Sequence, residues 1–161
     1  MRHAPGIALV AAALAAGTGC IDDDAAVFVE ASISAPSAVV TGGTLGTELT
    51  GGFQLTLHLG PRASGASQVS ARSFEITSAD QSTSIVAPLE AVAGTPLPVV
   101  VEPDADVTVA FTFDTGADLL PAEARDGLCD PAGIRVVGAI EDSLQDGATP
   151  VASEVFVAGC M

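Results

Sequence analysis

The chain has 161 residues, with 20 acidic residues against five arginines and no lysine, and its formal net charge is −15 at pH 7. A surface of this sign repels nucleic-acid phosphates and anionic lipid headgroups, which argues against nucleic-acid binding and against adhesion to a membrane by charge. Aromatic residues make up only 4% of the chain, with no tryptophan and no tyrosine, so no aromatic platform for a carbohydrate is evident.

Residues 1–19 have the features of a secretory signal peptide. Arg2 and His3 form a short basic start, residues 7–16 (IALVAAALAA) are a continuous apolar run, and small residues follow. An apolar run of this length is too short to remain as a membrane-spanning helix. We therefore predict that this segment directs export and is then removed.

The end of the signal, Gly17-Thr18-Gly19-Cys20, resembles the lipobox of bacterial lipoproteins. In that family, small residues precede a cysteine that receives lipid and becomes the first mature residue, and Leu, Val or Ile is usual where this chain has Gly17. The resemblance implies that Cys20 is lipidated and anchors the protein in a membrane. The alternative is cleavage by the ordinary signal peptidase near Ala15 or Gly17, which would leave Cys20 as a free or intermolecular thiol.

The residues after Cys20 bear on the membrane to which the protein is sorted. Ile21 stands where lipoproteins retained in the inner membrane of many enteric bacteria have aspartate. The resemblance therefore implies the outer membrane of a Gram-negative cell, with the domain on its periplasmic or cell-surface face. Residues 20–26 form an acidic spacer that reaches only about 20 Å when extended. The single domain predicted over residues 27–161 should lie close to its membrane.

The first part of this domain predicts one interrupted strand and a loop. Residues 27–33 alternate as a strand, the pattern breaks at Pro36, and residues 38–40 continue it after a kink. Residues 41–52 (TGGTLGTELTGG) are rich in glycine and threonine. We interpret them as a long loop with a short strand through residues 45–49.

Two later segments alternate most strictly between apolar and polar residues, as half-buried strands do. They are residues 53–59 (FQLTLHL) and residues 107–113 (VTVAFTF). Their apolar positions are predicted to be core: Phe53, Leu55, Leu57, Leu59, Val107, Val109, Phe111 and Phe113.

The segments between these two strands are less regular. Residues 69–77 change phase between Ala71 and Phe74, which predicts a bulge or a bend. Residues 83–87 predict a further strand. Residues 89–101 are interrupted by two prolines and are expected to run along a sheet edge.

The last segment, residues 128–161, predicts one hairpin. Its two arms alternate, and their inward positions are Ile134, Val136, Ile140, Val151, Val155 and Val157. Residues 118–127 precede the hairpin and are the one plausible helical turn.

Cys129 and Cys160 lie almost symmetrically about the hairpin turn, so folding the hairpin brings the two thiols together. We predict that they form a disulfide that closes the hairpin. The cysteine count supports this pairing. Three cysteines in an exported protein leave one without a disulfide partner, and lipidation of Cys20 accounts for that one.

Seven or eight short strands, separated by glycine and proline, predict an all-β antiparallel sandwich. The turn and strand of residues 102–113 (EPDADVTVAFTF), followed by a final hairpin, resemble the immunoglobulin-like domains of bacterial exported proteins. The resemblance implies an immunoglobulin-like sandwich over residues 27–160. The tryptophan and the inter-sheet cystine of antibody domains are not present in this pattern.

Candidates for catalytic chemistry are few. His58 is the one histidine after the signal, and it lies on the outward face of its strand. There is no second histidine for a zinc site and no serine in a Gly-x-Ser-x-Gly elbow. We predict that the protein is not an enzyme and that His58 is a surface residue.

A calcium site is the most specific alternative. Because neighbouring strands alternate in direction, the acidic residues before one strand should share a pole of the sandwich with those after the next strand. The candidate ligands are Asp104, Asp106, Glu141, Asp142 and Asp146. Carboxylate oxygens suit calcium, although this pattern lacks the glycine and the terminal glutamate of a helix-loop-helix calcium loop.

The sequence therefore predicts a non-catalytic, lipid-anchored envelope protein that acts as a structural or interaction module toward an unidentified envelope protein. Apart from calcium, no cofactor is predicted. Three alternatives stay open: a calcium-binding sandwich of the adhesion type, a carboxylate- or metal-dependent envelope enzyme, and a carrier with a ligand cavity inside a β-barrel.

Overall fold

A computed structural model of the chain describes residues 27–116 and 119–161. The predicted signal peptide, Cys20 and the acidic spacer lie outside the described residues.

The described residues form ten strands and one short helix. The elements are β1 (Glu30–Gly43), β2 (Gly46–Leu59), β3 (Ser67–Ser78), β4 (Ser84–Leu89), β5 (Ala91–Ala93), β6 (Val99–Val101), β7 (Ala105–Asp114), α1 (Ala124–Leu128), β8 (Ile134–Asp142), β9 (Ala148–Ala152) and β10 (Gly159–Cys160).

The strands are arranged in two sheets. The first sheet has the order β10-β1-β2-β7-β5, and the second has the order β4-β3-β8-β9, with β6 also paired to β3. All neighbouring strands are antiparallel except β1 and β10, which are parallel. The prediction of an all-β, predominantly antiparallel fold is confirmed. Two separate sheets are consistent with a sandwich, and the described strands do not close into one barrel.

The strand count exceeds the predicted seven or eight for two reasons. The segment over residues 89–101 does not follow one edge, because it splits into β5, at the edge of the first sheet, and β6, in the second sheet. The chain end adds β10. The helix α1 is also shorter and begins later than the helical turn predicted over residues 118–127.

Three phenylalanine rings lie at the centre of the core. Phe53 on β2 and Phe111 on β7 are stacked, with ring centroids 5.0 Å apart and planes at 8°. Phe74 on β3, in the opposite sheet, meets both rings edge-on at centroid distances of 4.8 and 5.0 Å. The predicted core positions of β2 are all buried, and on β7 only Val107 remains half-exposed.

The two irregularities predicted from the sequence are confirmed as bulges. The pairing of β1 with β2 shifts register between Ser34 and Ser37, around Pro36. The pairing of β3 with β8 shifts between Ala71 and Phe74. The second bulge changes the phase of β3, and it thereby directs the Phe74 ring into the core.

The interpretation of residues 41–52 as a long loop is wrong. The turn occupies only Thr44 and Leu45, and the glycine-rich stretch continues as the antiparallel pair of β1 and β2. Gly51 is a residue of β2, and the Phe113 ring covers it. A Cβ at Gly51 would lie 2.6 Å from Cζ of Phe113 and closer still to the carbonyl oxygen of Ser37, so only glycine leaves room for the ring. Glycine here accommodates a ring and is not the sign of a turn.

The C-terminal hairpin of β8 and β9 is confirmed, but its second arm is shorter than predicted. β9 ends at Ala152, and the chain then crosses to the first sheet, where β10 pairs with β1. Val155 and Val157, predicted to face the core, are 41% and 65% exposed. Beyond Ala152 the chain still hydrogen-bonds to β8 through the backbones of Ser153 and Phe156, and Val155 and Val157 lie on either side of Phe156 with their side chains exposed.

The packing of Phe113 on Gly51 generates a test. We expect Gly51→Ala to reduce the free energy of unfolding by about 1–3 kcal/mol, because the added methyl group has no space between the ring and the opposite backbone. Chemical denaturation of the purified domain measures this loss. Gly65→Ala is the matched control, since a Cβ there meets nothing within 4 Å, and a loss of similar size in both variants would contradict the packing argument.

Candidate functional site

The direction of the strands places the loops at two ends of the molecule. The end where the described chain begins, which we call the entry pole, contains residues 27–29 and the loops 60–66, 102–104 and 143–147. The opposite end, the far pole, contains the turn at Thr44 and Leu45, the α1 region and β10.

Asp142, at the end of β8, organises the entry pole. Its carboxylate is only 3% exposed, and its Oδ2 accepts a hydrogen bond of 2.8 Å from the backbone N–H of Val29. Its Oδ1 accepts hydrogen bonds from the Ser67 hydroxyl and, at 2.9 Å, from the N–H of Leu144. These donors satisfy buried carboxyl oxygens that would be costly to leave without hydrogen-bond partners. Through Asp142 the first residues before β1 are fixed to the second sheet.

The other calcium candidates at this pole are separated from one another. Asp106 lies 2.9 Å from Nδ1 of His58, across the pair of β2 and β7 in the first sheet. Glu141, in the second sheet, accepts a hydrogen bond from Arg72. That hydrogen bond holds the pKa of Glu141 below its usual value.

Asp104 and Asp146 lie in the loops of the same pole. In residues 27–116 and 119–161, no three His, Cys, Asp or Glu side chains come close enough together to hold a metal ion. The five candidate carboxylates all lie at the entry pole, but among the residues that the structure describes they do not form one cluster of ligands.

His58, predicted to be a surface residue, is half-buried on the face of β2 opposite its buried leucines. Its side chain is 30% exposed, and the carboxylate beside it, that of Asp106, is 70% exposed. The pair lies across β2 and β7 of the first sheet, and Nε2 of His58 is buried, so only part of the imidazole reaches water.

The disulfide predicted between Cys129 and Cys160 is confirmed and lies at the far pole, with the two Cα atoms 6.1 Å apart. Its location differs from the prediction. Cys129 follows α1, just before β8 of the second sheet, whereas Cys160 belongs to β10 of the first sheet. The bond therefore ties the chain end to the other layer and does not simply close the open end of a hairpin.

Hydrogen bonds around the chain end support the same attachment. The N–H of Met161 donates to the carbonyl oxygen of Val40 at 2.9 Å, and the carbonyl oxygen of Met161 accepts from the Arg125 guanidinium at 2.9 Å and from the N–H of Gly42 at 3.3 Å. The Arg125 side chain also covers Gly42, where a Cβ would lie 2.9 Å from the guanidinium carbon. The chain end is thus held both covalently and by hydrogen bonds.

A cleft of about 440 Å³ lies beside the far pole, and Asp80 and Asp130 are among the residues that line it. Oδ1 of Asp80 accepts hydrogen bonds from the hydroxyl of Ser78 at 2.6 Å, and from the N–H and hydroxyl of Ser82 at 3.0 and 2.8 Å. These bonds lower the pKa of Asp80 to about 2. The carboxylate therefore stabilises the turn between β3 and β4, and neither histidine nor cysteine lines the cleft.

Sequence reasoning missed the roles of Asp142 and Asp80. The spacing of Asp80 from Ser78 and Ser82 does carry a local signal, because an aspartate two residues before a serine commonly accepts its N–H in a turn. Asp142 has no such signal for its bond to Val29, since the two residues are 113 positions apart.

No protein-family model, no curated protein and no solved structure matches this chain.

Among residues 27–116 and 119–161, none of the helical structure has the length and apolar character needed to cross a bilayer.

The hydrogen bonds of Asp142 predict a large effect of its removal. We expect Asp142→Ala to lower the free energy of unfolding by about 2–4 kcal/mol, because it leaves two buried donors and one part-buried donor without this acceptor. Asp142→Asn should lose less, because its amide oxygen still accepts. Thermal or denaturant unfolding measures both. Asp146→Ala, at an exposed neighbouring position, should change stability little, and equal losses at the two positions would contradict the assigned role.

The disulfide predicts a second loss of stability. Replacing both cysteines, as Cys129→Ala with Cys160→Ala, frees a loop whose ends are 31 residues apart. On the chain-entropy model this destabilises the domain by about 3.5–4 kcal/mol. Denaturation of the wild type with and without a reductant provides the comparison. If the double variant unfolds at the same denaturant concentration as the oxidised wild type, the bond contributes nothing to stability.

Proposed function

We propose that the protein is a non-catalytic lipoprotein of the bacterial cell envelope, anchored through a lipid on Cys20, whose immunoglobulin-like domain serves as a structural or interaction module. The anchor would place it in the outer membrane, on the periplasmic or cell-surface face. Its proposed binding partner is another, unidentified protein of the cell envelope.

The observation that carries this proposal is the way the chain enters the domain. Val29 is held at the entry pole by the buried carboxylate of Asp142. Cys20 precedes Val27 by only a short spacer, so a lipid on Cys20 would pull on one end of a compact body. The opposite end carries the disulfide and the β1–β2 turn. A single-ended attachment of this kind suits a domain that is displayed from a membrane.

The strand order supports the immunoglobulin-like class. In immunoglobulin domains the strands A, B, E and D form one sheet, while C, F and G form the other, to which variable-type domains add C′. The order β1-β2-β7-β5 in one sheet and β9-β8-β3-β4 in the other follows this scheme when β1 to β5 are taken as A, B, C, C′ and D, and β7 to β9 as E, F and G. β6 and β10 are additions to it.

The non-catalytic assignment is supported by how the reactive side chains are used. His58 is half-buried beside the exposed carboxylate of Asp106 on the first sheet. Both cysteines among the described residues are consumed in the disulfide. The sheets bury aliphatic and phenylalanine side chains between them. Such a core suits a stable domain that presents its surface to a partner.

Lipidation of Cys20 is tested by intact-mass measurement of protein isolated from its native host. We expect the mature chain to begin at Cys20 and to carry acyl chains that fractionate with the membrane, because three acyl chains hold a protein far more firmly than one. Cys20→Ser should be free of lipid and should leave the membrane fraction.

The control for this experiment is the double substitution Cys129→Ser with Cys160→Ser, which should retain the lipid, because the disulfide is independent of the anchor. A wild-type chain without acyl groups, or one cleaved near Ala15 or Gly17, would contradict the proposal.

A further inference from the structure

Two apolar side chains are exposed at the entry pole, directly before β1. Val27 is 44% exposed and Phe28 is 45% exposed, whereas Val29 beside them is 3% exposed and belongs to the core. We propose that Val27 and Phe28 form a membrane-contacting pair, which inserts into the boundary between the headgroups and acyl chains of the bilayer that holds the anchor. This inference rests on the proposed lipidation of Cys20.

The length of chain between the anchor and the pair limits where the pair can go. Six residues separate Cys20 from Val27, so the two Cα atoms are at most about 25 Å apart even when the chain is fully extended. β1, which has 14 residues, is about 45 Å long. An anchored domain therefore keeps its entry pole close to the bilayer, while its far pole has room to project into the surrounding compartment.

The backbone next to the pair is fixed relative to the body of the domain. The N–H of Val29 donates to Asp142 at 2.8 Å, and the Val29 side chain is buried. Phe28 is thus one residue from a rigid point on the surface that faces the anchor. A phenylalanine so placed transfers apolar area from water to lipid without unfolding any part of the sandwich.

Electrostatic attraction to lipid headgroups does not drive this membrane contact. The loops of the entry pole carry Glu102, Asp104 and Asp146 against one basic side chain, Arg62. Anionic lipid would be repelled, and exposed charges are screened by salt. A contact made by Val27 and Phe28 is apolar, so it should persist on neutral lipid and should be insensitive to ionic strength.

The absence of tryptophan from the chain provides a direct test. Phe28→Trp introduces the only indole at the entry pole, and Leu45→Trp introduces one at the far pole, where Leu45 is 89% exposed. Each acylated variant is purified and reconstituted into phosphatidylcholine vesicles whose acyl chains are partly brominated. We expect the emission of the Phe28→Trp variant to shift to shorter wavelength and to be quenched several-fold more than that of the Leu45→Trp variant, at low and at high salt.

The outcomes separate this inference from the proposed function. Intact mass is measured first, and a chain without lipid contradicts the anchor itself. In an acylated chain, equal quenching of the two variants or no quenching of the Phe28→Trp variant overturns the membrane contact. A blue shift without bromine quenching also overturns it, because the indole would then be covered by protein. Unchanged melting temperatures of both variants establish that neither substitution disturbs the fold.

Discussion

The packing of three phenylalanine rings across the two sheets is the contact on which the rest of the structure depends. Phe53 and Phe111 of the first sheet stack on each other, and the Phe74 ring of the second sheet meets both of them in an edge-to-face arrangement. Elsewhere the core consists largely of valine, leucine and isoleucine, and these rings, which come from both sheets, fix how the layers face each other. The bulge in β3 and the glycine at position 138 serve this contact, since a Cβ on Gly138 would lie 2.7 Å from Cε1 of Phe74.

Much of the fold could be predicted because the signals concerned are local. Strict alternation in residues 53–59 and 107–113 identifies two central strands, and the phase change between Ala71 and Phe74 identifies a bulge. The pairing of Cys129 with Cys160 followed from their spacing about a turn. For the strands and the bulge, the residues that carry the signal are those that form the structure, whereas the cysteines are 31 residues apart and join the two sheets.

The features that could not be predicted depend on distant contacts. Gly51 belongs to a strand because Phe113 covers it, and no pattern within residues 41–52 contains that information. Val155 alternates like a core residue, but it is exposed next to the bridge between Phe156 and Ile134. For the candidate site, the sequence placed five carboxylates at one pole. It did not show that Asp142 is buried as an acceptor for Val29 or that Asp106 and Glu141 are engaged in different sheets.

The proposals share one geometric basis, the unequal ends of the sandwich. One end receives the chain, where Asp142 fixes its entry and Val27 and Phe28 remain exposed. The other end is reinforced by the disulfide and by the hydrogen bonds of Met161.

The parallel pairing of β1 with β10 has a consequence for biosynthesis. Val40 and Cys160 lie near opposite limits of the described chain, yet they are partners in one ladder. The neighbouring ladder of β1 with β2 joins residues close in sequence and is available early, whereas the other side of β1 is paired by residues 159–160. In a chain synthesised from its N-terminus, that edge of β1 therefore stays uncovered until residues 159–160 are available, and the domain is incomplete along it until then.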